Sequence, residues 1–240
     1  MTSITGVVSI CRRDWDVHPP YLHEAYASTV LRAPQKALLH LDPEVAELTG
    51  PVFGSDAVCP GDSDLTRNAS IGGQAIGQRI HVVGRVLEND GRPVANALIE
   101  IWQANAGGRY RHQSDDGCAP LDPNFAGAGR VLTNMNGEYR FTSIHPGAYP
   151  WRNHYNAWRP SHIHLSIFGS MFPSRLVTQM YFPGDPLLPI DPIFNGVPCE
   201  RGRNALIAHY AHDVTEPGTA LGYRFDIVLR GRDETPMETR

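Results

Sequence analysis

The run Arg159-Pro160-Ser161-His162-Ile163-His164, continued by Leu165-Ser166-Ile167, sets two imidazoles two residues apart. Side chains in a strand alternate faces, so a strand here turns His162 and His164 one way and Ile163, Leu165 and Ile167 the other. Two imidazoles on one β-face suit a single metal ion. In a chain with 11 histidines the pair taken alone fits an ordinary polar strand face equally well.

Two tyrosines upstream change the balance. Tyr110 sits in Gly107-Gly108-Arg109-Tyr110-Arg111-His112, where paired glycines permit a tight turn. Tyr149 sits in Pro146-Gly147-Ala148-Tyr149-Pro150-Trp151-Arg152-Asn153, a loop stiffened by prolines. Either tyrosine alone fits a core or interface aromatic with a bonded hydroxyl. With His162 and His164 they suggest a metal site of a particular kind. A phenol ordinarily ionises near pH ~10, so phenolate at neutral pH needs a strongly charged, hard cation. Zinc favours thiolates, imidazoles and carboxylates, and ferrous oxygenases favour two His and one carboxylate, so two Tyr with two His favours Fe(III). His209 and His212 also have a metal-like spacing, but with no carboxylate motif nearby they read as the solvated face of a helix.

The elements that must position these groups are mostly strands. Arg79–Leu87 reads as a strand, Asn89–Pro93 as a turn, and Ala95–Gln103 as the strand returning beside it. A second hairpin is expected from Val131–Thr133, Asn136-Gly137 and Glu138–Thr142. His162–Phe168, Leu176–Phe182 and Tyr223–Leu229 are further β-rich runs, and Asn204–His212 is the best helical candidate. With no βαβ alternation, the expected fold is mainly β: an antiparallel, Ig-like or transthyretin-like β-sandwich with long loops, few short helices and an N-terminal arm. The arm spans 1–75 and the catalytic sandwich 76–240. The arm's apolar residues are scattered among polar ones, which suits a segment wrapping another surface, and Pro34 should stop any helix running on from Tyr26.

Composition bounds the function. The chain has 240 residues, with 21 basic against 25 acidic and a net charge of −4. That balance argues against nucleic-acid or anionic-membrane partners, and no apolar run is long enough for a membrane helix. The N-terminus lacks the cationic lead of a secretion signal. Cys11, Cys59, Cys118 and Cys199 are scattered and fit reduced thiols in a cytoplasmic protein. Together, 23 Gly, 20 Pro and only 19% charged residues suit many short strands and ordered turns.

A family resemblance accompanies these residues. Glu100-Ile101-Trp102-Gln103-Ala104-Asn105-Ala106-Gly107-Gly108-Arg109-Tyr110-Arg111-His112 resembles the intradiol ring-cleaving dioxygenases. So do Leu121–Phe125, Tyr149–Asn153, Trp158–His164 and Tyr223–Gly231, and the likeness runs from about Tyr21 to near the C-terminus. It is narrowest to the iron-bearing subunits that act on 3,4-dihydroxybenzoate. The resemblance implies one non-haem Fe(III) per chain, held by Tyr110, Tyr149, His162 and His164 with water or hydroxide as fifth ligand. Tyr149 and His164 would be axial. It places Arg159 beside the bound ring, Gln179 behind the ligands, Tyr26 at the substrate carboxylate, and Trp151 and Ile193 on the pocket wall.

The implied reaction, in aromatic catabolism, opens 3,4-dihydroxybenzoate with O2 between its hydroxyl-bearing carbons, giving 3-carboxy-cis,cis-muconate. Tyr149 and the hydroxide, displaced by the diol, would take its protons. The implied partner is a homologous α subunit in an (αβ)n assembly. Catechol or hydroxyquinol as substrate is the nearest alternative, and a non-catalytic sandwich subunit the more distant one. Ala148, Cys118 and the segments 168–174 and 192–203 depart from the family pattern without removing a ligand.

Overall fold

The computed structural model describes residues 14–39, 58–168 and 175–238. Cys11 and the divergent stretch 169–174 therefore lie outside the described residues. Two sheets face each other. In the first, β1 (Arg79–Leu87) is central, with β4 (Glu138–Ile144) antiparallel on one edge. Along its other edge run β10 (Leu221–Arg224) and then β11 (Ile227–Val228), both parallel to β1, and β9 (His209–Tyr210) pairs with β10. The second sheet is antiparallel throughout, in the order β3 (Ala128–Leu132), β2 (Leu98–Trp102), β7 (His162–Phe168), β8 (Leu176–Tyr181).

The layers meet through one core. Ile80, Val82, Phe141 and Tyr223 of the first sheet share it with Ile99, Ile101, Ile163, Leu165, Ile167 and Met180 of the second. Removing these side chains from water is the main favourable term holding the sandwich shut. The expected mainly β sandwich is what forms, with two parallel pairings that no local sequence signal announces.

Both expected hairpins are instead corners between the sheets. The turn after β1 closes locally, with Glu88 N–H donating to Arg92 O at 2.9 Å and Val94 N–H to Val86 O at 2.9 Å. The chain then leaves, and β2 pairs with β3 and β7 rather than β1. The Asn136-Gly137 turn also closes locally, Gly137 N–H donating to Asn134 O at 2.9 Å, yet β3 and β4 belong to opposite sheets. Turn chemistry fixes a local reversal; which edge a strand then joins is set by burying its apolar face.

Two further expectations are corrected. Tyr223–Leu229 is not one strand but β10 and β11, divided where the Phe225 carbonyl crosses Gly84. A Cβ at Gly84 would stand 1.8 Å from that oxygen, so only glycine admits the crossing. The helix expected over Asn204–His212 runs over Glu200–Ala205 (α3), and the following residues extend across Tyr181, which donates from its N–H to Leu206 O and accepts from Ala208 N–H. Leu206 and Ala208 are buried two apart, the period of a strand, which outweighs the helical spacing of Leu206, Ile207 and Tyr210. His209 and His212 are solvent-exposed, as expected, but on β9 and a 3-10 turn.

The arm carries α1 (Ala27–Arg32), which stops at Ala33, one residue before Pro34. One further helical turn, α2 (Pro192–Asn195), lies beside the site. Among the described residues, no helix is long and apolar enough to cross a membrane.

Candidate metal centre

The first two ligating candidates come from β7. Ile163, Leu165 and Ile167 are fully buried in the core, which leaves His162 and His164 on the opposite face, as the alternation requires. Their ring centroids are 4.8 Å apart. His164 is stacked on Trp102 of β2, its register partner, at 4.9 Å and 6°.

The tyrosines arrive on loops that lock together. Asn105 organises the first: its Oδ1 accepts from Gly107 N–H at 2.9 Å and Arg109 N–H at 3.0 Å. Asp115 then accepts from Tyr110 N–H at 2.7 Å. Gly108 has φ +78, and a Cβ there would stand 2.4 Å from Ala148 O, so this glycine lets the Tyr110 loop lie directly against the Tyr149 loop. Tyr149 itself begins the short strand β5 (Tyr149–Pro150), paired with β6 (Trp158–Arg159), which sets it opposite Arg159.

All four side chains converge. Tyr110 Oη and Tyr149 Oη lie 3.5 and 3.4 Å from His162 Nε2. The two tyrosine rings meet edge-on at 5.5 Å, and Tyr110 is 6.3 Å from His164. The oxygen–nitrogen separations are long for hydrogen bonds but suit atoms bordering one small space. Both imidazoles have Nδ1 engaged elsewhere, His162 to Pro160 O at 2.6 Å and His164 to Glu238 Oε2 at 2.7 Å. With Nδ1–H donating, Nε2 is the free lone pair of each ring.

The electrostatics favour the neutral forms of Tyr110, Tyr149 and His162. Burial first, and then Tyr149, push Tyr110 well above the usual phenol range; burial likewise raises Tyr149. Burial, reinforced by Arg159 and His164, pushes His162 well below the usual imidazole range. The imidazole is therefore ready to ligate at neutral pH, whereas the phenols would ionise only against a strong positive charge. Two half-buried phenols and two oriented imidazoles fit a hard, highly charged metal ion.

Behind them lies a buried polar network. Arg159 is 3% exposed and its guanidinium is held by Asp191, from Nε at 3.1 Å and from Nη2 at 3.3 Å. Its Nη2 also reaches Gln179 Oε1 at 2.5 Å and Tyr181 Oη at 3.2 Å. Burial opposes the Arg159 charge, but Tyr181 and Asp191, with Tyr149 and Tyr110, outweigh it and raise its pKa further. Burial also works to raise Glu238, yet its hydrogen bonds from His164 and Gln179 prevail and hold it below the usual carboxylate range.

Tyr26 links the remaining expected residues. Trp151 lies under the Arg159 guanidinium at 5.4 Å and against Tyr26 at 5.4 Å. Asn153 clamps the arm, accepting from Ala27 N–H at 2.8 Å and donating to Ala25 O at 2.7 Å. Ile193 is buried on α2, and with Tyr26 and Glu238 it borders one shallow cavity. Asp191, Tyr181 and Glu238 escaped the sequence reading. Tyr181 was legible, lying two residues from Gln179 on the same strand face; Asp191 and Glu238 reach the site only through the fold.

A family profile described as "Dioxygenase" matches residues 48–231, and one described as "Protocatechuate 3,4-dioxygenase beta subunit N terminal" matches residues 11–44. The protocatechuate 3,4-dioxygenase beta chain of Burkholderia cepacia is 58% identical over 226 residues, covering 94% of this chain and 96% of its own length. The alpha chain from the same organism is 30% identical over 164 residues, covering 67% of this chain and 77% of that one. Among solved structures, hydroxyquinol 1,2-dioxygenase of Pseudomonas putida DLL-E4 superposes with a TM-score of 0.55 at 23% identity, over 91% of this chain and 74% of that one, a likeness of fold. Full-length identity of this order, joined to the matching N-terminal and central profiles, establishes that this chain belongs to the intradiol dioxygenases, among the protocatechuate 3,4-dioxygenase beta chains.

Proposed function

We propose that this chain is the iron-bearing beta chain of an enzyme that opens protocatechuate (3,4-dihydroxybenzoate) with O2 to 3-carboxy-cis,cis-muconate. The observation that carries the reading is the convergence of the Tyr110, Tyr149, His162 and His164 side chains. These four would hold a single non-haem Fe(III). Bound there, that ion would supply a Lewis acid that draws electron density from the diol ring.

The chain's own groups do the rest. Tyr149 Oη would take one diol proton and then carry it, so no separate catalytic imidazole is needed. Arg159 is fixed and charged beside Tyr149, and its guanidinium stabilises negative charge as that charge shifts on the ring. Gln179 and Asp191 keep that guanidinium from swinging away. Trp151 and Ile193 wall the pocket and exclude water. Tyr26, delivered by the arm, would meet the ring carboxylate.

The partner would be a homologous alpha chain in an (αβ)n assembly. In support, the arm exposes Leu31 at 90% and Leu39 at 87%, apolar surface that an adjoining chain would cover. The division into an arm over 1–75 and a sandwich over 76–240 belongs to the same reading. A cytoplasmic location fits the free thiols of Cys59, Cys118 and Cys199.

The test is a visible spectrum with iron analysis on the chain co-expressed with its alpha chain. Tyrosinate-to-iron charge transfer should colour it red-brown, and the diol should shift the band. Turnover should favour protocatechuate over catechol, which lacks the ring carboxylate. A colourless, iron-free preparation made with ample iron would refute the reading.

A further inference from the structure

His164 is oriented by a residue almost at the end of the chain. Glu238 Oε2 accepts from His164 Nδ1 at 2.7 Å and from Gln179 Nε2 at 2.8 Å, while Gln179 Oε1 accepts from Arg159 Nη2 at 2.5 Å. One carboxylate oxygen thus joins a ligating imidazole to the guanidinium beside the substrate. The register of β7 and β8 pairs His164 with Gln179, so both present themselves to the same incoming carboxylate.

The tail that delivers Glu238 is docked by bonds of its own. Thr178 Oγ1 donates to Pro236 O at 2.7 Å, Glu238 N–H donates to Val177 O at 3.0 Å, and Met237 N–H donates to His18 Nδ1 at 3.0 Å. His18 and Glu234, both fully buried, approach to 3.3 Å. A tail fixed at so many points aims its carboxylate instead of merely covering the site.

We propose that Glu238 is the positioning residue for His164 and, through Gln179, for Arg159, so that the C-terminal tail sets how tightly the centre holds its metal. The inference rests on the metal site proposed above. An outer carboxylate on a ligating imidazole fixes the ring and makes its free nitrogen a better donor, and losing such a partner typically lowers metal affinity about 10- to 100-fold.

The experiment follows iron release from the αβ holoenzyme into a chelator for the wild type, Glu238→Gln, Glu238→Asp and Glu234→Gln. Glu238→Gln keeps the shape and the backbone bonds of the tail, and iron should leave about 10- to 100-fold faster. Its Fe(III)/Fe(II) potential should shift positive, because a less basic imidazole stabilises the ferric state less. Glu238→Asp should fall between that variant and the wild type. Glu234→Gln, which disturbs the His18 pair and leaves Glu238 its bonds, should lower the melting temperature without hastening release. Unchanged release and potential in Glu238→Gln would overturn the inference, as would equally fast release in Glu234→Gln, which would reduce the tail to a cover. A wild type that binds no iron would overturn the metal site itself, and this inference with it.

Discussion

Arg159 and Asp191 form a two-point ion pair inside the protein, with side chains 4% and 0% exposed. The same carboxylate caps α2, accepting from Ile193 and Phe194 N–H, both at 3.4 Å. One residue therefore fixes both the guanidinium and the helical turn that carries Ile193. Asp191→Ala leaves a buried charge without its partner, which should cost about 3–5 kcal/mol of stability, read from denaturation of the holoenzyme. Asp191→Asn retains a cap but loosens the guanidinium, so kcat should fall about 10- to 100-fold with iron content near normal. Arg159→Ala should likewise lower turnover more than iron content. Loss of iron in parallel with turnover would make Arg159 structural.

Tyr149 is expected to act as a base as well as a ligand. Tyr149→Phe keeps the ring and its packing against Tyr110 but removes the oxygen. Three donors remain, so the protein should retain part of its iron, while diol binding should slow by about 10²- to 10⁴-fold, the usual span for a positioned base. Stopped-flow binding of protocatechuate, alongside iron analysis, separates the two effects. Unchanged binding would remove Tyr149 from proton transfer.

The sequence carried the centre of this site further than its surroundings. His162 and His164 were legible because a period of two and a buried apolar face are local properties of β7. Tyr110 and Tyr149 were legible as loop residues, and their meeting depends on Gly108, whose role appears only when Ala148 O is found against it. The long strands were legible, but the short ones and the pairing edges were not, since the turn at Asn89–Pro93 has the same chemistry whether the chain returns or crosses to the other sheet. Asp191 and Glu238 had no motif of their own. They matter through contacts 32 and 74 residues along the chain, which no spacing rule reports.

Gly108 is the joint between the two tyrosine loops. Gly108→Ala forces a side chain into the left-handed region, at a cost of about 1–3 kcal/mol, and drives its Cβ toward Ala148 O and Tyr149. The sandwich core does not involve this contact, so far-UV circular dichroism should stay β-like while iron content falls. Full iron loading in Gly108→Ala would show that the loops tolerate separation.

His145 gives the fold an acid-sensitive point away from the ligands. It packs on Phe182 at 4.1 Å, and burial lowers its pKa despite the opposing effects of the Pro146 carbonyl and Asp185. The folded chain therefore takes up this proton at lower pH than the unfolded chain, in which imidazole titrates near ~6.5. Stability from this group is intact above that pH and declines as pH falls from there toward the depressed folded value. Because the ring is partly solvated, the effect should be modest. Melting temperatures of the holoenzyme from pH 7.5 down to 5.5 should drop more steeply for the wild type than for His145→Gln, which has no proton to gain, and identical slopes would show that His145 contributes nothing to acid sensitivity.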